Sequence, residues 1–435
     1  MFGHLYIYLN KLGVIYKNKY AMATIVYTLP DRHFDWHKIA PSIVRRQHMD
    51  AILPEVMNAI SHQTNRKIDL IIDSVQTTDL DAYISSDLTR IALVHAIPLA
   101  IQAGTTVDPR PLRELKQTIE KLIQHSQLVI ILDPELNLLH CQEWFKDYDS
   151  PNVCWLVGGI VNLDLKLFGI GNANQIICNP SWIHYVTHLY KNKKLSVLLS
   201  AVDPYEVRPK MFDILLGRKR GHRDFVYRTV NMNQKLADLS IMPYNPNSVE
   251  GQCLSGTDEW ERVTEFYGKD SFLWEPNCIP LPNLRFTWDP VLYHGVGTFL
   301  SLVAPLSIYR QTAYSVVAET SDDNRYSFFT EKIAKPIIAR RLFIVISGQY
   351  YLRNLRRLGF ATFDGIIDES YDLEPNDTIR WYKAIEQMKW LAEQPQEVIF
   401  EQIRGRVEHN FKYAIDQDWS RFARGAVDQW LKQIK

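Results

Sequence analysis

The sequence predicts an α/β protein of two units followed by helices. Three observations carry that prediction. Short apolar runs alternate with helical stretches in the first half, the same alternation returns after residue 313, and the tail beyond 390 has charge and tryptophan but no strand pattern. A chain of 435 residues also exceeds what one ordinary core encloses, so two domains are expected.

In chain order, residues 68–72 (IDLII, then Asp73) read as a short buried strand, and 91–100 follow as a further apolar stretch. Residues 111–125 have helical periodicity with charged faces. Residues 127–132 (QLVIIL) read as a strand that stops at the turn signal Asp133-Pro134. Further strands are expected at 153–157 (VCWLV, closed by Gly158-Gly159), 175–178 (QIIC) and 195–199 (LSVLL), with a helix over 182–191. Strands that are apolar throughout, spaced by helices, imply a parallel sheet covered on both faces. From 231 to 295 the chain is rich in Pro, Asn, Trp and Tyr, which suits long connections. The second unit then expects strands at 314–318 and 342–346, helices at 330–340 and 350–358, and a last short strand at 362–367. The expected boundaries are 1–205, 206–390 and a helical 391–435, whose helices pack back towards the first unit.

Composition narrows the function classes. Forty-nine basic and 49 acidic residues cancel, which argues against a nucleic-acid coat or a polybasic membrane binder. Five cysteines without CxxC spacing read as reduced thiols of a cytoplasmic protein, not as a disulfide framework or zinc site. No run of 18 apolar residues exists, so no transmembrane helix is expected. Residues 1–21 read either as a poorly ordered leader or as an extension ahead of Met22. No GxSxG, HExxH or P-loop motif is present.

Two clusters carry chemistry. Residues 215–229 (LLGRKRGHRDFVYRT) pack Arg218, Lys219, Arg220, His222 and Arg223 around Gly217 and Gly221, just before a helix-like run. Cations in a loop that enters a helix suit a phosphate, because the helix start adds N–H donors and positive dipole. By charge alone the run also fits a solvated surface turn. The second cluster runs from Glu319, at a strand end, to Thr330-Glu331-Lys332, where Thr330 is a plausible N-cap. Glu331 and Lys335 share a helix face. A carboxylate there accepts both hydroxyls of a ribose and a lysine meets a diphosphate, while an ordinary cap with an ion pair is the plainer alternative. Gly348 and Tyr350 follow at the end of the next strand, where a nucleotide is expected in an open sheet. Asp73, Asp133 and Glu135, with His95 and His140 behind them, are the candidate general bases, though each also fits a loop or cap. Asp322-Asp323 reads as a solvated acidic loop and no metal site is expected.

Residues 314–372 resemble a glycosyltransferase-like family of phages and bacteria. The resemblance lies in Glu319-Thr320, Thr330-Glu331-Lys332, Lys335-Pro336, Gly348, Tyr351-Leu352, Leu358-Gly359-Phe360, Thr362-Phe363 and the run Asp368-Glu369-Ser370-Tyr371-Asp372. The same half is similar to the donor-binding domain of α1,3-fucosyltransferases. The resemblance implies a GT-B-like fold, two Rossmann-like domains facing across a cleft. It implies that Glu331 binds a ribose, that Lys332 meets a phosphate, and that Arg218 or Arg223 contacts the diphosphate. The expected activity is metal-independent, inverting transfer of a sugar from a GDP- or UDP-linked donor to a glycan, lipid or protein hydroxyl. The alternative is a nucleotide- or carbohydrate-binding protein of the same fold without turnover.

Overall fold

A computed structural model describes residues 26–28, 70–74, 91–95, 117, 120–125, 128–133, 150–162, 176–178, 180–217, 219–244, 275, 277–280, 290–419, 421–422 and 425. The leader at 1–21, Glu135, His140 and Arg218 lie outside them. The described residues form a mixed α/β structure with two parallel sheets.

The first sheet contains β1 (Val26–Thr28), β2 (Leu70–Ser74), β3 (Ile91–His95), β4 (Leu128–Asp133) and β5 (Val153–Val157). After β5 comes the short β6 (Gly159–Val161), which leaves the sheet, and β7 (Ile176–Cys178) closes it in the parallel order β1-β2-β3-β4-β5-β7. Val129, Val153, Cys154, Trp155 and Val157 are buried, as all-apolar parallel strands require. Burial also pushes the Cys154 thiol up to about 12, which makes it a packing residue at neutral pH. The strand at 68–72 is displaced by two residues, so Asp73 lies inside β2 and not beyond it.

α1 (Ser181–Asn192) and the one-turn α2 (Ser196–Leu199) follow. The strand expected at 195–199 is therefore a correction: Leu195 and Leu199 are buried on one side while Val197 is exposed, a helical spacing. A five-residue apolar run does not distinguish the two structures by itself. The strand that enters the basic run is β8 (Lys210–Asp213), not residues 195–199. α3 (Gly221–Asn231) and α4 (Gln234–Asp238) then lead to β9 (Ser240–Ile241).

A separate antiparallel sheet of β10 (Cys278–Pro280), β11 (Pro290–Tyr293) and β12 (Val296–Phe299) precedes α5 (Leu306–Tyr309). Then come β13 (Thr312–Ala318), β14 (Tyr326–Phe328), α6 (Glu331–Ile338) and β15 (Phe343–Ile346). The second parallel sheet has the order β15-β13-β8-β9, and β14 pairs antiparallel with β6. α7 (Tyr351–Arg357), α8 (Asp377–Leu391) and α9 (Gln396–Asp416) follow. α9 packs on α6 and on α1, and Lys191 Nζ donates to the Ile415 carbonyl at 2.8 Å.

Two local features have clear causes. Residues 362–367 form a turn and not a strand: Ile366 N and Ile367 N both donate to the Phe363 carbonyl at 3.0 Å, Phe363 N donates to Glu369 at 2.6 Å, and Arg406 donates to the carbonyls of Thr362 and Asp364 at 3.0 and 2.7 Å. Helix α6 ends with Arg340 in the left-handed region (φ 56°) and with Arg341 N bonded to Pro336 O at 3.0 Å. This is the glycine-type C-terminal motif held by an arginine. The Arg340 side chain reaches Glu408 at 3.5 Å and the Phe411 ring at 5.1 Å, which offsets part of the backbone strain.

Candidate functional site

In an open parallel sheet, ligands settle outside the carboxyl ends of the strands where the order of connection reverses. In the second sheet that reversal falls between β8 and β13. The segment leaving β8 carries the basic run, and the segment leaving β13 begins at Glu319. Topology thus brings together the two clusters at 215–229 and 319–332.

The first wall of the site is the start of α3. Its N-cap residue, Arg220, is extended (φ −149°, ψ 157°) and supplies no side-chain cap. The first N–H groups of a helix have no partner inside it, so an uncapped start is ready for an anion. Open space lies where a Cβ would stand on Gly221. Lys219 is exposed and Arg220 half-buried beside it, and the Arg220 charge acts on the Asp322 carboxyl. The next two residues turn inward. His222 Nε2 donates to the Glu319 carbonyl at 2.8 Å, and Arg223 donates to the same oxygen at 2.9 Å and to Ala318 O at 3.4 Å. Both side chains are buried, and burial pulls the His222 imidazole below its ordinary value. Its Nδ1 stands 3.3 Å from Asp322 Oδ2.

The second wall is the start of α6. Thr330 is its N-cap, and its hydroxyl accepts from Lys332 N at 3.2 Å. Glu319, fully buried, fixes that cap. Its carboxylate accepts from Thr330 Oγ1 at 2.5 Å, Thr330 N at 3.2 Å, Thr320 N at 3.0 Å and Tyr351 Oη at 2.7 Å. Burial pushes the Glu319 carboxyl up, opposed by the Lys332 charge and by these donors. Lys332 Nζ lies 2.6 Å from Glu331 Oε1 and 3.0 Å from Thr320 Oγ1, with its side chain 23% exposed. Burial acts upward on Glu331 as well, but Lys332 and Lys335 outweigh it and hold the carboxyl below its usual range.

Arg220, Arg223, Glu319, Thr330, Glu331 and Lys332 therefore lie around one strand end. Three other candidates are engaged elsewhere or closed over. Lys335 turns beneath the helix and donates to the Ser301 carbonyl at 2.8 Å, and burial brings its ammonium down to about 8. A Cβ on Gly348 would run into the Asp323 carbonyl, so the space expected for a nucleotide is filled by the loop after β13. Tyr350 is the left-handed N-cap of α7 (φ 69°), with the Arg353 guanidinium 3.7 Å from its ring centre. Asp73 and Asp133 are described by backbone alone, as the penultimate residue of β2 and the last of β4.

The acidic run at 368–372 proves to be a set of fasteners. Asp368 caps a short 3₁₀ turn, and the buried Glu369 binds Thr362 Oγ1 (2.6 Å) and Arg356 (2.8 Å). Asp372 accepts from Leu352 N and Arg353 N at 2.8 and 2.9 Å, capping α7 from a distance. Spacing in sequence located these residues without indicating what they touch. His222 stood inside the basic run, yet nothing in the sequence marked it as a support for the β13 end.

No protein-family model, curated protein or solved structure matches this chain. Among the described residues no helix is long and apolar enough to cross a membrane.

Proposed function

We propose that this chain is a glycosyltransferase of the GT-B type, which takes a sugar from a nucleoside-diphosphate donor and transfers it to an acceptor hydroxyl. In this reading residues 206–390 hold the donor and 1–205 face the acceptor across a cleft. One observation carries it: a helix start that its N-cap side chain does not cap, open at Gly221 and beside Lys219 and Arg220, lies at the reversal point of a parallel sheet whose strand β13 leads to Thr320, the partner of Lys332. Pyrophosphate is the ligand that such a set suits best, because fixed N–H dipoles and ammonium or guanidinium charge all favour a multiply charged anion.

The chemistry then follows. An acceptor oxygen attacks the anomeric carbon, the bond to the diphosphate oxygen breaks, and its electron pair leaves on the diphosphate. Lys332 and the α3 start stabilise that charge, and a carboxylate takes the acceptor proton. Backbone register favours Asp133 over Asp73 for this task. Asp133 pairs with Val157 of β5, which runs through Gly158 into Gly159, the partner of Phe328 two residues before Thr330. Asp73 sits on β2, separated from β5 by β3 and β4. We expect Asp133→Asn to lower kcat by about 10²–10⁴-fold, and Asp73→Asn to leave it within a few fold.

The experiment is a thermal-shift screen with GDP, UDP, CMP and dTDP, followed by a turnover assay with sugar conjugates of the stabilising nucleotide. Selective stabilisation by a diphosphate and release of that nucleotide support the reading. A protein stabilised by none of the four does not have the site described. Stabilisation without turnover favours the binding-protein alternative, for which Arg223 speaks, since its guanidinium already serves strand-end carbonyls.

A further inference from the structure

The loop 319–325 carries much of the candidate site: the Glu319 carbonyl that receives His222 and Arg223, the Thr320 hydroxyl that receives Lys332, and Asp322. Its near end is fixed by the Glu319 carboxylate. Its far end is fixed by a residue 162 positions away in sequence, Asn162, which directly follows β6.

Asn162 makes four bonds across this junction. Its backbone N–H donates to the Arg325 carbonyl at 2.8 Å. Its side-chain Nδ2 donates to the carbonyls of Asn324 and Gln349, each at 3.2 Å. Its Oδ1 accepts from Asn354 Nδ2 at 2.6 Å, and that fully buried amide also donates to Ser327 Oγ at 2.9 Å. Asn324 in turn accepts from Gln349 N at 2.6 Å and donates to Asp377 at 2.9 Å. A short side chain with two donor hydrogens and one acceptor oxygen is needed at 162, and only an asparagine side chain offers both in that length. Aspartate keeps the acceptor and loses both donors. The strand before Asn162, β6, follows β5 after Gly158 alone, so the loop is tied through β6 to the carboxyl end of β5.

We propose that Asn162 is a positioning residue: from the end of β6 it holds the 319–325 loop, and through it the groups that grip pyrophosphate. The functional half of this statement rests on the pyrophosphate reading of the site. It touches no ligand itself. Its loss frees Thr320 and Asp322 to move, and Lys332 and His222 lose fixed partners.

Asn162→Asp and Asn162→Ala test this in two measurements on the full chain. The first is hydrogen exchange without ligand. Amides in 319–325 are expected to exchange about tenfold faster in both variants, the loss of one to two net hydrogen bonds, while α9 exchanges as in the wild type. The second is titration with UDP and GDP below the unfolding temperature of every variant, where the dissociation constant is expected to rise about tenfold. A purely structural role lowers the melting temperature and leaves loop exchange and affinity unchanged, which overturns the proposal. Faster exchange with unchanged affinity overturns it equally. A wild-type protein that binds neither nucleotide defeats the pyrophosphate reading instead, and the exchange measurement still decides whether Asn162 holds the loop.

Discussion

Arg341→Met is expected to destabilise the protein by about 3–5 kcal/mol, the cost of stranding one partner of a buried ion pair. The Arg341 and Asp213 side chains are each 4% exposed, and their charged groups meet at 2.7 Å. Arg341 also donates to Ser315 Oγ (2.9 Å), Thr312 O (2.9 Å) and Thr312 Oγ1 (2.9 Å), and its guanidinium lies 4.2 Å from the Tyr309 ring centre. One side chain thus joins the entrance of β15 to β13 and β8. Methionine keeps most of the volume, so the loss is electrostatic more than a cavity. The pH dependence has a definite sign. Burial raises the Asp213 carboxyl above its unfolded value, and Arg341 opposes that shift. A carboxyl raised in the folded state contributes stability below its unfolded pKa and loses it as pH rises through the folded value. Without Arg341 the rise is greater, so the deficit of Arg341→Met relative to wild type shrinks as pH is lowered towards the ordinary carboxylate range. Urea unfolding of both proteins at several pH values measures it; a deficit independent of pH contradicts the ion-pair account.

The second large effect is expected at Glu319. Glu319→Ala removes the acceptor for Thr330 N, Thr330 Oγ1, Thr320 N and Tyr351 Oη together. A buried donor left unsatisfied costs about 1–3 kcal/mol, so the loss here is about 3–5 kcal/mol after partial rearrangement. The Thr330 cap loosens with it, which disturbs the start of α6 and the Lys332 side chain. Glu319→Gln separates the two effects. It keeps the shape and one acceptor oxygen but introduces an amide that faces donors, so stability is expected to fall less than in Glu319→Ala. Comparable losses for the two variants would mean that charge, not hydrogen-bond acceptance, is what the site requires.

The sequence made the strand at 153–157 and the one ending at Ile346 legible, because each is an apolar run carrying β-branched and aromatic residues that stops at a glycine-containing turn. Thr330 was legible as a cap for a local reason, since its partner is two residues away. The misreadings share a physical cause. Residues 195–199 are too short to reveal a period, and β8 is a four-residue strand with Lys210 and Asp213 at its ends, so it lacks an apolar signature. Residue type and spacing marked Arg220, Arg223, Glu331 and Lys332 as candidates, and the fold brings them near one strand end. They did not reveal that Gly348 is closed over by the loop at Asp323, or that Lys335 is spent on the Ser301 carbonyl. Asp213, Arg341 and Asn162 were invisible, since their partners lie far along the chain and only the sheet order brings them together.

Isothermal titration of UDP and GDP into the wild type and into Lys332→Ala tests the central claim most directly. If the reversal point between β8 and β13 grips pyrophosphate, at least one nucleotide binds the wild type with one-to-one stoichiometry. Lys332→Ala then weakens that binding about 10- to 100-fold, the worth of one charge-assisted contact. Binding that is equal in the two proteins, or absent from both, contradicts the account.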